Sequence, residues 1–365
     1  MNAISGRSAL ARIGALRAPD ASGLRLPPGF TSRILARSRV APVAGKPFVW
    51  HDAPDGGVVF AAAGGGWIYV SNSEVIDNRG GASALHFSSS GELLDAYAIL
   101  SGTNANCAGG PTPWGTWLSC EEHLRGLVWE CDPSGREAAR PWPALGAFTH
   151  EAVAVDPERM QLYLTEDMRD GRWYRFTPAR VGADRMPDLS AGKLEAAGRS
   201  SAGGGRVHWH EIVDPSGKSK PTRRQATASN GFDGGEGCWH AAGVIYFSTK
   251  GDDKVWAYDI ASEQLSTIYE AGKLARPVLK GVDNVTVTAS GDVLVAEDNG
   301  DMQIVAITPD RRIVPVVQVV GHPESEVAGP AFDPSGTRLY FSSQHGATGT
   351  DRDGVTYEVT GPFNG

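Results

Sequence analysis

The sequence predicts an all-β fold, a six-bladed β-propeller with a polar, metal-binding rim at its central channel. Three observations carry that expectation. Among 365 residues stand 46 Gly and 23 Pro, punctuating short Val/Ile/Tyr/Trp runs where long helical periodicities would otherwise appear. One aromatic strand segment recurs along the chain at a nearly constant step. Acidic residues gather at the ends of those strands.

In chain order, residues 1–23 read as a flexible or loosely docked arm. Arg7, Arg12 and Arg17 there accompany neither an apolar core nor a twin arginine, so the sequence as written shows no export signal. Residues 24–365 read as a single propeller domain, opening with a strand in Leu24–Ser38 after a Pro-Pro turn. The segments WIYVSNSE (Trp67–Glu74), TWLSCEE (Thr116–Glu122), QLYLTED (Gln161–Asp167), VIYFSTK (Val244–Lys250), DVLVAEDN (Asp292–Asn299) and RLYFSSQH (Arg338–His345) are variants of one unit. Their markers Ile68, Trp117, Tyr163, Tyr246, Leu294 and Leu339 are separated by 49, 46, 83, 48 and 45 residues. That is a propeller period. The long step holds Pro178–Asn230, rich in Gly, Ser and Lys, which reads as a loop insertion with one strand, VHWHEIV.

A second regularity bears on function. Some 14 or 15 residues before each polar strand end stands the start of another strand. The pairs are Cys107 with Glu121 and Glu122, Glu151 with Glu166, Glu236 with Lys250, Asp283 with Glu297, and Gly329 with Gln344. The start and end of an antiparallel hairpin lie side by side. A propeller therefore converges Cys107, Glu121, Glu122, Glu151, Glu166, Asp167, Glu236, Asp283, Glu297, Asp298 and Asn299 on one rim. So many carboxylates, with only Lys250 and the histidines His150, His240 and His345 for balance, require protonation or cations. Oxygen-rich clusters suit calcium; a thiolate among glutamates suits iron or zinc. A water-filled acidic channel mouth is the alternative.

The composition excludes several classes. A net charge of −8, from 34 basic and 42 acidic residues, offers no basic stripe for a nucleic-acid backbone. No apolar run is long enough to span a membrane. The four cysteines, Cys107, Cys120, Cys131 and Cys238, match no zinc-finger spacing, although a Cys107–Cys120 disulfide across a hairpin is sterically conceivable. Nucleophile elbow, His-Glu-x-x-His and P-loop motifs are missing.

NCAGGPTPWGTWLSCEE (Asn106–Glu122), HEAVAVDP (His150–Pro157), LYLTED, EGCWHAAGVIYFST, GVDNVTV and SSQHG together resemble the PhoX family of metal-dependent alkaline phosphatases, from about Leu24 to Phe363. The resemblance implies a six-bladed propeller, an iron (Fe3+) and calcium (Ca2+) cluster, hydrolysis of small-molecule phosphate esters, a monomer, and a periplasmic or secreted location. Cys107 would be the thiolate ligand of iron, Glu121 and Glu122 the paired carboxylates, and Glu151 and Glu236 further cluster glutamates. Asp283, Asn284, Glu166, Glu297 and Asp298 would complete the shell, with Glu121, Glu122, Glu236 and Lys250 as the catalytic groups. The family's phosphate-binding arginine falls in Phe232–Gly237, which reads FDGGEG here, so Gly234 occupies its place. A planar bidentate donor is thereby lost, which implies altered or weakened activity. Two other readings accompany this one: a calcium-dependent propeller hydrolase of the lactonase type, in which no thiol is needed, and a non-catalytic metal-binding propeller that binds a ligand or protein.

Overall fold

Short β-rich segments broken by turn residues leave little room for helix. The computed structural model, which describes residues 8–201 and 204–364, is accordingly built from antiparallel strands, 3-10 turns and one short helix, Thr222–Gln225. None of the helices among these residues is long and apolar enough to cross a membrane. The chain divides into two compact units, Met1–Val75 with Ala82–Ala98 and Lys273–Gly365, and Ile76–Gly81 with Ile99–Gly272.

The first unit holds three sheets. One runs in the order Leu24–Arg25, Ile313–Val319, Gln303–Ile307, Val293–Glu297, Val282–Val287; a second runs Thr31–Arg37, Val355–Thr360, Arg338–Ser343, Val327–Phe332. In each, an early strand forms the outer edge of a sheet otherwise made from late ones. The third runs Pro54–Ala61, Trp67–Ser73, Gly80–Phe87, Leu93–Thr103, the ends of its last two strands passing into the other unit. Within 8–23, the stretch read as an arm, Leu10 is fully buried beside Leu24, Leu26 and Phe30. Residues 1–7 of that arm lie outside the described residues.

The second unit holds a four-stranded sheet in the order Arg140–Pro141, Val128–Cys131, Trp117–Glu121, Asn106–Pro111, and one sheet of nine strands. The nine-stranded sheet corrects the expected six-bladed propeller. Five sheets are described where six separate blades were expected, because the insertion is not a plain loop. It supplies strands Gly192–Ser201 and Gly204–Glu211, and the start of the latter pairs with Gln264–Glu270 through Gly204–Ser266, Gly205–Leu265 and Arg206–Gln264. That bond row joins two hairpin systems into one ladder. Its two edge strands, His150–Asp156 and Gly235–Ala241, pack against each other, leaving the sheet nearly closed. Tyr163, Trp173, Phe232, Phe247, Trp256 and Tyr258 fill the space inside, with Trp173 stacked 4.6 Å from Phe247. The architecture is all-β and propeller-like, with four smaller sheets and this larger one.

Backbone contacts in this unit are close where glycine allows it. A Cβ added at Gly110 would lie 1.7 Å from the carbonyl oxygen of Val153 in the neighbouring strand. Gly110→Ala is expected to lower stability by about 1–3 kcal/mol, as overpacking does. Urea unfolding measures it, and an unchanged midpoint would mean the approach is not a rigid one.

Candidate functional site

The polar residues singled out from the sequence are positioned by a repeated backbone device. In the second unit, strand Asn106–Pro111 pairs Asn106 with Glu121 and then Gly109 with Ser119, so two residues on one strand, Cys107 and Ala108, face one on the other, Cys120. The same shift separates His150–Glu166 from Val153–Leu164, and Gly235–Thr249 from Cys238–Phe247. Each is a β-bulge, which bends the strand and re-aims a side chain. The residue immediately after the pair is Cys107, Glu151 or Glu236. In the first unit the corresponding bulges follow Pro54, Val282 and Ala328, and the residues they re-aim are Asp55, Asp283 and Gly329.

Strand alternation then divides the paired acids at the far end. The last strand residue turns to its own loop. Glu121 accepts hydrogen bonds from the backbone N–H of Asn104 (3.0 Å) and of Leu127 (3.1 Å), one on each oxygen. Glu166 accepts from Arg172 N, from the Tyr174 hydroxyl at 2.8 Å and from Arg223 Nη1 at 3.2 Å. Glu297 accepts from the N–H groups of Lys280, Asp301 and Gln303. Burial raises the pKa of both Glu166 and Glu297 to about 7 against these stabilising bonds. Thr249 and Ser343 occupy the same position, bonded to Asp252 and to His322 and Ser325. None of Glu121, Glu166 and Glu297 enters a metal-capable donor group among the described residues.

The residue one step further points the other way. Cys107, Glu122 and Glu151 offer a sulfur and two carboxylate oxygens all within 4.8 Å of one another, and Glu151 and Glu236 likewise approach within 4.8 Å. Cys107, Glu151 and Glu236 are buried. Lys250 Nζ lies 3.1 Å from Glu236 Oε1. Two carboxylate charges 4.8 Å apart repel by about 3 kcal/mol at an effective dielectric of 20. The group is therefore costly as bare anions, and its donors fit a metal cation: a soft sulfur mixed with oxygens suits iron or zinc. Asp167 stands near Gly234, whose Cβ, were there one, would lie 3.2 Å from Asp167 Oδ1.

The first unit carries carboxylate donors of its own. Asp55 and Glu74 approach within 4.8 Å, and Gln344 Nε2 donates to both. Desolvation, followed by Asp283, Asp55, Asp298 and Glu74, raises the Glu326 pKa well above the usual range. Asn284 donates to Asp283 and accepts from Gly329 N. Asp55, Glu74 and Glu326 were missed from the sequence. Asp55 precedes Glu74 by 19 residues, outside the 14–15 spacing followed there, because the intervening turn Ala62–Gly66 is longer.

The other cysteines and His150 are buried. None of the four cysteines is in a disulfide, so the Cys107–Cys120 bridge is not formed. Cys120 packs in the core with Leu118 and Val128, and burial raises the Cys120, Cys131 and Cys238 pKa values far above the usual thiol range. His150 bonds Gly146 O through Nε2 and stacks 3.6 Å from Phe148; burial lowers its pKa to about 3.

Fold and donors together define an all-β, propeller-like protein with metal-capable carboxylate and thiol groups. A family model described as alkaline phosphatase PhoX matches residues 79–128 and 123–278, more than half of the sequence, and the chain belongs to that family. The homology supports a hydrolase. Pseudomonas fluorescens PhoX, solved with vanadate as a transition-state analogue, superposes with a TM-score of 0.77 at 16% identity, over 95% of this chain and 98% of its own. A gluconolactonase from Xanthomonas campestris matches with a TM-score of 0.52 at 14% identity, over 98% of both chains. A protein of unknown function from Bacteroides thetaiotaomicron matches with 0.55 at 10%, over 90% of this chain and 76% of its own. At these identities the likeness is one of fold. No curated protein matches the sequence.

The split between neighbouring acids is testable. Glu121→Gln keeps one acceptor for two N–H groups and is expected to cost about 1–3 kcal/mol in unfolding free energy. Glu122→Gln is expected to leave stability nearly unchanged and to lower bound metal. Paired urea titrations and elemental analyses check this; equal effects of the two changes in both measurements would refute the division.

Proposed function

We propose that the chain is a PhoX-like metallophosphatase that hydrolyses phosphate esters, with activity altered or weakened by the absence of an arginine at position 234. The observation that carries it is the mixed donor group of Cys107, Glu122 and Glu151, extended by Glu236. These residues would hold iron. Asp283, Asn284 and Asp298, together with Asp55, Glu74 and Glu326, would hold calcium, whose preference is for oxygen alone. When bound, the cations supply Lewis-acid polarisation of a phosphoryl oxygen and neutralise charge developing in transfer. This chain's own contributions are distinct. The Lys250 ammonium, one-third exposed, stands beside Glu236 and is available to donate to a substrate oxygen. Glu121 and Glu166 tie down the loops on either side of the donors and so limit their drift.

Gly234 shapes the finer reading. Its φ of 64° is left-handed, a conformation that costs a side-chain-bearing residue about 1–2 kcal/mol, and its Cβ position lies 3.2 Å from Gly251 N as well as from Asp167. The backbone there is set for glycine. An anion in this site would be bound by cations and a point-charge ammonium, without a planar fork. The same residue favours a second reading, a metal-binding propeller without esterase activity. The family resemblance further makes an exported protein the expectation for its location.

Elemental analysis and ester hydrolysis test the proposal together. Iron with calcium, a visible band from thiolate-to-iron charge transfer, and release of p-nitrophenol from its phosphate mono- or diester are expected. Cys107→Ser should abolish the band and lower turnover. Calcium alone with activity on a lactone, indifferent to Cys107→Ser, would favour the lactonase type. Metal-replete protein inert toward both phosphate esters would overturn the phosphatase reading.

A further inference from the structure

The insertion contains a run of opposite character to the rest of the chain. KSKPTRR (Lys218–Arg224) carries four cations and no acid in a protein of net charge −8. It is built as a rigid strap. Asp214 N donates to Gln225 Oε1, Gln225 Nε2 donates to the carbonyls of Asp214 and Lys220, and the hydroxyls of Ser216 and Ser219 donate to the Asp214 carboxylate.

Three bonds fix this strap to segments adjoining Glu122, Glu151 and Asp167. Arg125 Nη2, three residues past Glu122, donates to Ser216 O at 3.2 Å. Ala147 N, four residues before Glu151, donates to Pro215 O at 2.8 Å. Arg223 Nη1 meets Glu166 Oε1, the neighbour of Asp167, at 3.2 Å. Arg223 is thereby spent on structure, and with Arg224 it also grips Asp170. Lys218 and Lys220 remain exposed on the strap, and Arg125 on the loop bonded to it, next to the strand ends that present Glu122 and Glu151.

We propose that this strap is a subsite for a second phosphate group, so that the preferred substrates are phosphate esters carrying at least one further phosphate. The inference rests on the reading of the donor group as a phosphoester-hydrolysing centre. Exposed lysines on a held backbone attract a dianion without ordering cost in the loop, and the attraction weakens with salt. Its bonds to the loops next to Glu122 and Glu151 hold this run in a fixed place.

The test compares fructose 1,6-bisphosphate with fructose 6-phosphate, for the metal-replete protein and for the double variant Lys218→Glu/Lys220→Glu. Both kcat/KM and calorimetric binding are read at low and high salt. Preference for the bisphosphate is expected at low salt, residing in KM, and a roughly three- to tenfold loss of that preference in the variant. An unchanged preference in the variant overturns the subsite while leaving the hydrolase intact. If neither ester is hydrolysed, the hydrolase reading fails, and binding still decides the subsite: tighter bisphosphate binding that the variant loses upholds it, and equal binding overturns it.

Discussion

An antiparallel hairpin alternates its side chains between two faces, and at the strand starts around Cys107, Glu151 and Glu236 one extra residue breaks that alternation. Without the bulge, each of these residues would continue the pleat of its strand. With it, thiol and carboxylates turn toward a common region and come within 4.8 Å of their partners. The same insertion of one residue places Asp55 and Asp283 in the first unit. Ladder bonds resume on either side, so the re-aimed residues are held by strands and not by flexible loops, which suits a site that must keep its geometry.

Charge explains why the acids at the strand ends come in dissimilar neighbours. A buried carboxylate is tolerated when its lone pairs are satisfied, and Glu121, Glu166 and Glu297 are satisfied by backbone N–H groups, a tyrosine or an arginine. They act as staples for the loops that follow their strands. Glu122, which shares a strand end with Glu121, lies with the Glu151 carboxylate and the Cys107 thiol in one metal-capable group. Carboxylates brought together in this way favour a cation or protons between them. The staples and the donors depend on each other: a donor is positioned only if the adjacent loop does not fray.

The insertion alters both fold and surface. Through Gly204–Glu211 it covers edges that two hairpin systems would otherwise leave open, producing the nine-stranded sheet and enclosing an aromatic interior. Through residues 214–225 it lays a cationic strap against loops next to the donors. A glycine- and lysine-rich stretch, which composition alone marks as loop, thus acquires two ordered roles once hydrogen-bonding partners are supplied by distant strands.

Much was legible from the residues alone. The recurring aromatic segments established antiparallel hairpins and their order, because turn residues and β-branched runs are local signals. The spacing from Cys107 to Glu122 and from Glu236 to Lys250 puts each pair at one end of a hairpin, and the strand pairing agrees. The parity of Glu121 against Glu122 was hidden, since which side of a strand faces a site depends on the bulge, and the bulge shows only in the pairing. Asp55 was hidden by a longer turn, and the joining of sheets by an insertion whose partner strand lies some 60 residues further on. Local sequence determined the strands and the chemistry they carry. Tertiary pairing decided which acids meet and which are consumed in holding the chain together, because hydrogen-bond satisfaction and charge confinement are properties of neighbours in space.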